Sequence, residues 1–109
     1  MENNILKGLY ETIENRRDNP KEGSYTSYLF EKGIDKILKK VGEECTETII
    51  EASKGHKENL KEEIGDLVYH LMVLMVQMDV SLDDVGHILA SRHKVQNNKK
   101  PERKEIEKW

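Results

Sequence analysis

The stretches Gly42-Glu43-Glu44-Cys45-Thr46-Glu47 and Glu62-Glu63-Ile64-Gly65-Asp66 decide how this chain is read. In each, two carboxylates stand three residues apart: Glu44 with Glu47, and Glu63 with Asp66. On an α-helix of about 3.6 residues per turn, that spacing puts both on one side, close to one turn apart. Two such helices packed face to face gather four or five negative charges in one place. Like charges that close cannot all stay ionised unless a cation neutralises them. Oxygen-only ligands favour Mg²⁺, with Mn²⁺ as a substitute, over zinc. The pattern points to metal-dependent chemistry on a phosphate substrate.

Outward from these pairs, apolar residues recur at helical spacing, and the alternation suited to strands is weak throughout. Residues 34–54 read as one long helix stopped by Gly55, and residues 57–79 as the next. At about 100° per residue, Ile37, Leu38, Val41, Cys45, Ile49 and Ala52 form an apolar arc on the first. Lys36, Lys40, Glu43, Glu44, Glu47 and Glu51 form the neighbouring arc, with Glu44 at the boundary. The second helix is apolar nearly all round from Ile64 to Met75, which predicts a buried helix. One polar stripe interrupts it: Glu63, Asp66, His70 and Gln77. Acidic groups on a buried helix need a cation. That contrast favours a metal site over a solvated face balanced by Lys36, Lys39 and Lys40 through one-turn ion pairs.

The neighbours of the carboxylates sharpen the picture. Lys36 and Lys40 share the acidic arc and suit phosphate oxygens as point charges, a role compatible with salt bridges to Glu43 and Glu44. His70, one turn beyond Asp66, is open to two readings: a contact to substrate or behind a metal ligand, or a histidine bonded within the core. Cys45 faces the apolar arc and reads as a small core residue. Gly42 and Gly65 each cost about 1 kcal/mol relative to Ala inside a helix. Close helix approach beside the acidic cluster is the expected reason.

Three further helical segments complete the chain. Residues 4–17 carry Ile5, Leu9 and Ile13 one turn apart and end before the turn Asp18-Asn19-Pro20-Lys21-Glu22-Gly23. Ser24 is placed to cap a short helix bearing Tyr25, Tyr28, Leu29 and Phe30, closed by Gly33. Ser81 and Asp84 form a capping box for a helix with Leu82, Val85, Ile88 and Leu89 as its stripe. The expected fold is all-α, a bundle of four main helices per chain. Residues 1–96 form its domain, and residues 97–109 a charged tail.

A length of 109 residues argues for one domain. Apolar and charged residues each make up 36% of the chain, so the core is thin and a second subunit would help it. Residues 92–109 carry 7 Lys and Arg against 3 Asp and Glu, but Glu102, Glu105 and Glu107 interrupt the run. That mixture suits a solvated tail, or one lending phosphate ligands to a nearby site, better than a nucleic-acid contact. One cysteine excludes a disulfide framework and any multi-cysteine zinc site. The longest apolar run, Leu67 to Val76, is too short to span a bilayer, and the N-terminus has no signal-peptide run. The expectation is a soluble, cytoplasmic protein.

In these residues the chain resembles the all-α nucleoside-triphosphate pyrophosphohydrolase superfamily. That pattern, Glu-Glu-x-x-Glu followed after a variable gap by Glu-x-x-Asp, fits residues 43–47 and 63–66. Closer still is the resemblance to the phosphoribosyl-ATP pyrophosphohydrolases of histidine biosynthesis. It is carried by Ser24-Tyr25-Thr26, by the Gly33-to-Glu44 run with Lys36-Ile37-Leu38-Lys39-Lys40, and by Asp66-Leu67-Val68-Tyr69-His70, and covers residues 4–93. The resemblance implies a Mg²⁺-dependent enzyme that cleaves phosphoribosyl-ATP to phosphoribosyl-AMP and pyrophosphate, with water attacking the α-phosphorus. It implies Glu44, Glu47, Glu63 and Asp66 as metal ligands and Glu43 as an accessory carboxylate orienting water. Lys36, Lys40 and Arg92 would meet phosphates, with His70 at the substrate. It also implies a homodimer and the stand-alone form of the enzyme.

Two other readings fit less well. A housecleaning hydrolase of deoxy or non-canonical nucleotides shares the carboxylates, but the Tyr-His and lysine elements speak against it. A non-enzymatic metal-binding bundle or adaptor has little reason to bury acids. A di-iron protein of that kind would show Glu-x-x-His pairs, whereas Leu67 stands three residues before His70.

Overall fold

Capping residues written into the sequence set the helix boundaries within a residue or two of where periodicity predicts them. The computed structural model describes the backbone of residues 3–97 and the side chains of residues 5–93. In order, the helices are α1 (Asn3–Asp18), α2 (Tyr25–Lys32), α3 (Ile34–Lys54), α4 (Lys57–Gln77) and α5 (Leu82–Asn97). The described residues contain no strand. The tail expected at 97–109 lies outside the described residues from position 98 onward. Helices α1–α4 belong to one compact unit ending at Asp79, and α5 to a second unit starting at Val80. No single helix among the described residues is long and apolar enough to cross a membrane.

Ser24 caps α2 through its hydroxyl, which accepts from the Ser27 N–H at 3.1 Å. Gly33 serves two helices at once. Its N–H closes α2 on the Leu29 carbonyl, and its own carbonyl accepts from Ile37 in the first turn of α3. Its backbone, φ 95° and ψ −173°, lies where glycine alone sits comfortably. Gly55 ends α3 in the left-handed region with N–H groups returning to Ala52 and Glu51, and His56 then opens α4. In the second unit Ser81 and Asp84 cap α5 reciprocally, each side chain bonding the other's N–H at 3.0 Å.

The core of the first unit takes Ile13 from α1, Leu29 from α2, Ile37 from α3, and Val73 and Val76 from α4, all fully buried. Each such side chain contributes about 1.5–3 kcal/mol by leaving water. Arg17 ties α1 to the end of α4, its Nη1 donating to the Val76 carbonyl at 3.1 Å. That carbonyl belongs to the last turn of α4 and also accepts from the Asp79 N–H at 3.2 Å.

The most extensive pairing is α3 on α4, and it departs from the sequence expectation. Ile37 is buried, but Leu38 is 48% and Ile49 67% exposed. Glu44, expected at the boundary of the apolar arc, is itself buried. Nor is α4 covered all round: His70, Met72, Val73 and Val76 are buried, while Ile64 and Leu71 are exposed. Periodicity locates an apolar face but not what covers it. Here α3 and α4 turn carboxylates toward one another, so part of each apolar face is left over. Close approach does not explain the two helical glycines either. A Cβ added at Gly42 or Gly65 would meet no atom within 4 Å, so packing within the chain gives no reason for them.

Candidate metal centre

Three of the four residues expected as metal ligands, from α3 and α4, lie together, and Glu47 is not in that group. Glu44, Glu63 and Asp66 can each offer one carboxylate oxygen, all lying within 4.8 Å of one another. Glu44 Oε1 and Glu63 Oε1 are out of reach of solvent and have no hydrogen-bond partner. A buried, unpaired carboxylate oxygen is costly, and two side by side cost more. Glu63 feels this crowding. Its carboxyl is pushed up to about 7, first by desolvation and then by the neighbouring Glu44 and Glu47 carboxyls. Hard oxygen donors with unsatisfied lone pairs suit Mg²⁺ or Mn²⁺. The residues present fit such an ion.

Glu47, one turn along α3 from Glu44, is exposed, yet close enough to Glu63 to raise its pKa. It stands at the solvent edge of the cluster. Lys40 lies against the other edge, its Nζ 3.2 Å from Glu43 and 3.7 Å from Glu44. That contact holds the Glu43 carboxyl below its ordinary range and raises the Lys40 ammonium. Lys36 Nζ sits 6.0 Å from the centre of the Tyr28 ring, a cation over an aromatic face. Arg92 is exposed on α5, in the second unit.

His70 is buried with both ring nitrogens engaged. Nδ1 lies 2.8 Å from the Asp66 carbonyl and Nε2 3.0 Å from the Tyr25 hydroxyl. A carbonyl only accepts, so Nδ1 carries the proton, and in the neutral ring Nε2 accepts from Tyr25. His70 thus joins the backbone of one cluster residue to an aromatic side chain on α2. Around it Tyr25 stacks on Tyr28 and Tyr69, and Thr26 hydrogen-bonds the Tyr69 hydroxyl.

Residues 6–93 match the family profile described as Phosphoribosyl-ATP pyrophosphohydrolase. The chain belongs to that family. Among curated relatives, the phosphoribosyl-ATP pyrophosphatase of Clostridium botulinum strain Hall is 57% identical over 106 residues, covering 97% of this chain and 96% of its own. The phosphoribosyl-ATP pyrophosphatase of Listeria innocua is 55% identical over 102 residues, covering 94% and 97%. A histidine biosynthesis bifunctional protein of Caldanaerobacter subterraneus is 56% identical over 90 residues, which are 83% of this chain but 44% of that one. All nine candidate residues, from Lys36 to Arg92, fall inside the phosphoribosyl-ATP pyrophosphohydrolase match.

The sequence pattern missed what Tyr25 does. Ser24-Tyr25-Thr26 stands out as a string, but no spacing rule joins it to Tyr69-His70, more than forty positions on. Only the helix cap at Ser24 hinted that these side chains are held in place.

Proposed function

We propose that this protein hydrolyses phosphoribosyl-ATP to phosphoribosyl-AMP and pyrophosphate, a step of histidine biosynthesis, using Mg²⁺ held by Glu44, Glu63, Asp66 and Glu47. The observation that carries the chemistry is the pair of buried, unpaired carboxylate oxygens on Glu44 and Glu63 beside Asp66. The family match and the names of the relatives supply the substrate. Bound there, the cation supplies charge neutralisation for the polyphosphate and Lewis acidity at phosphorus.

The chain's own residues do the rest. Lys40 beside the cluster and Lys36 over the Tyr28 ring serve as point charges for the phosphates being released. Glu43, held ionised by its 3.2 Å contact with Lys40, is the accessory carboxylate that orients the water attacking the α-phosphorus. The Tyr25 hydroxyl is held by His70, whose other nitrogen is bonded to the Asp66 carbonyl. His70 therefore acts through Tyr25.

The proposal includes a homodimer. Leu38 and Ile49 on α3, with Ile64 and Leu71 on α4, leave apolar strips uncovered within one chain. Exposed apolar surface of this kind marks a protein interface. A second copy covering those strips would also complete the thin core.

Pyrophosphate release from phosphoribosyl-ATP, measured with Mg²⁺ beside ATP, dUTP and dCTP and with an EDTA control, tests the reading. EDTA-sensitive preference for phosphoribosyl-ATP is the expected result. Preference for a free nucleotide would keep the centre and move the protein to nucleotide housecleaning. No release from any of them would sink the enzymatic reading.

A further inference from the structure

The first unit holds a second feature that the metal chemistry does not use. A cavity of about 1070 Å³ lies between the end of α1, the turn after it and the first turn of α2. Its wall includes Arg16, Arg17 and Lys21 together with Ser24, Tyr25 and Tyr28. Ser27 fixes the backbone that carries two of these cations. Its Oγ accepts from the Lys21 N–H at 3.0 Å and donates to the Arg16 carbonyl at 3.3 Å, pinning the turn and the end of α1 to α2.

The three cations are not equivalent. Arg17 is committed to the Val76 carbonyl and to Asp18. Neither Arg16 nor Lys21 is in an ion pair among the described residues, and the Arg16 guanidinium bonds only the adjacent Asn15 amide oxygen. Glu22 and Glu31 also line the cavity, so its balance is one positive charge. That is notable in a unit where residues 1–79 carry 11 Lys and Arg against 16 Asp and Glu.

Tyr25 belongs to both places. It lines the cavity, and its hydroxyl meets His70, which is bonded to the backbone of Asp66. The Tyr25 ring is therefore the side chain that the cavity wall shares with the link to the carboxylates. We infer that the cavity holds the half of the substrate that does not react, with the remote phosphate paired to Arg16 and Lys21. The inference rests on the reading above, under which the substrate carries a second phosphate on its other ribose. Because Tyr25 donates to His70, its oxygen accepts from a ribose hydroxyl. Free nucleotides lack the remote phosphate, so these two cations select the substrate without touching the reacting bond.

Binding of the product separates this inference from the reaction itself. Calorimetry would compare phosphoribosyl-AMP with AMP, in Mg²⁺, on the wild type and on the double variant Arg16→Ala/Lys21→Ala. The wild type is expected to prefer phosphoribosyl-AMP by roughly tenfold to a hundredfold, the worth of charged hydrogen bonds to a phosphate. The double variant should lose that preference and bind AMP as the wild type does. Its KM for phosphoribosyl-ATP should rise by the same factor with kcat unchanged, which also establishes that it folds. Arg16→Lys should keep most of the preference.

Equal affinity of the wild type for the two products overturns the assignment, as does an unchanged preference in the double variant. A parallel loss of AMP binding also overturns it, because the cations would then serve the shared nucleotide. Failure of the wild type to release pyrophosphate would instead strike the function, and the product titration would still decide the cavity.

Discussion

Binding a divalent cation at the centre should expel a proton, and Glu63 is its source. In the metal-free chain that carboxyl titrates at about 7, against an ordinary 4.5. At pH 6 it is protonated in roughly 0.9 of the molecules, and at pH 8 in roughly 0.1. A cation needs the ionised form. Mn²⁺ binding at pH 6 should therefore release about 0.9 proton per site, and affinity should climb nearly tenfold per pH unit until about pH 7, then level off. Calorimetry in two buffers of different ionisation heat reads the proton count directly. Glu63→Gln should lose the pH dependence along with much of the affinity.

The same shift fixes the sign of a stability effect. Between pH 4.5 and 7 the folded metal-free chain holds a proton at Glu63 that the unfolded chain has lost, so stability falls as pH rises through that window. Melting in EDTA should come earlier at pH 8 than at pH 5 on this account, and saturating Mn²⁺ should reverse the order. No proton release at pH 6, or equal release from Glu63→Gln, would refute the reasoning.

Four other outcomes are expected. Glu47→Gln and Asp66→Asn should each abolish pyrophosphate release with the helical circular dichroism intact, and near-wild-type turnover in either removes that residue from the centre. Ile64→Glu combined with Ile49→Glu should shift sedimentation from dimer to monomer, whereas a wild type that is monomeric at micromolar concentration and still active would disprove the dimer. Ile13→Ala empties a fully buried site and should cost about 2–5 kcal/mol in urea unfolding, a loss under 1 kcal/mol arguing that the site collapses. Ser81→Ala removes the cap of α5 and should cost about 1 kcal/mol, read as earlier loss of helicity, with no change meaning the box is idle.

Local signals were legible to within a residue or two. Ser24, Gly33, Gly55 and the Ser81–Asp84 box act through bonds to near neighbours, so their meaning is written in adjacent positions. That Glu63 and Asp66 share one side of α4 was legible from their spacing, whereas the approach of Glu44 from α3 needed the packed structure. What the sequence withheld depends on how helices rotate against each other. The apolar arc through Leu38 and Ile49 looked like core and is open, while Glu44 at its edge is buried. Periodicity carries phase along one helix, not the identity of its partner. Tyr25–His70 and Arg17–Val76 join positions far apart in the chain and needed the packed structure.

Gly33 carries a consequence for how related chains can change length. Because this one residue ends α2 and starts α3, nothing between those helices can absorb an insertion. One added residue would turn α2 by about 100° against α3, which stays packed on α4, and carry Tyr25 away from His70. The α3–α4 connection has the opposite freedom, since residues 52–59 are exposed and lie past the last carboxylate of α3. Insertions and deletions among relatives should therefore collect at that tip, while the distance in sequence from Tyr25 to Glu44 stays fixed.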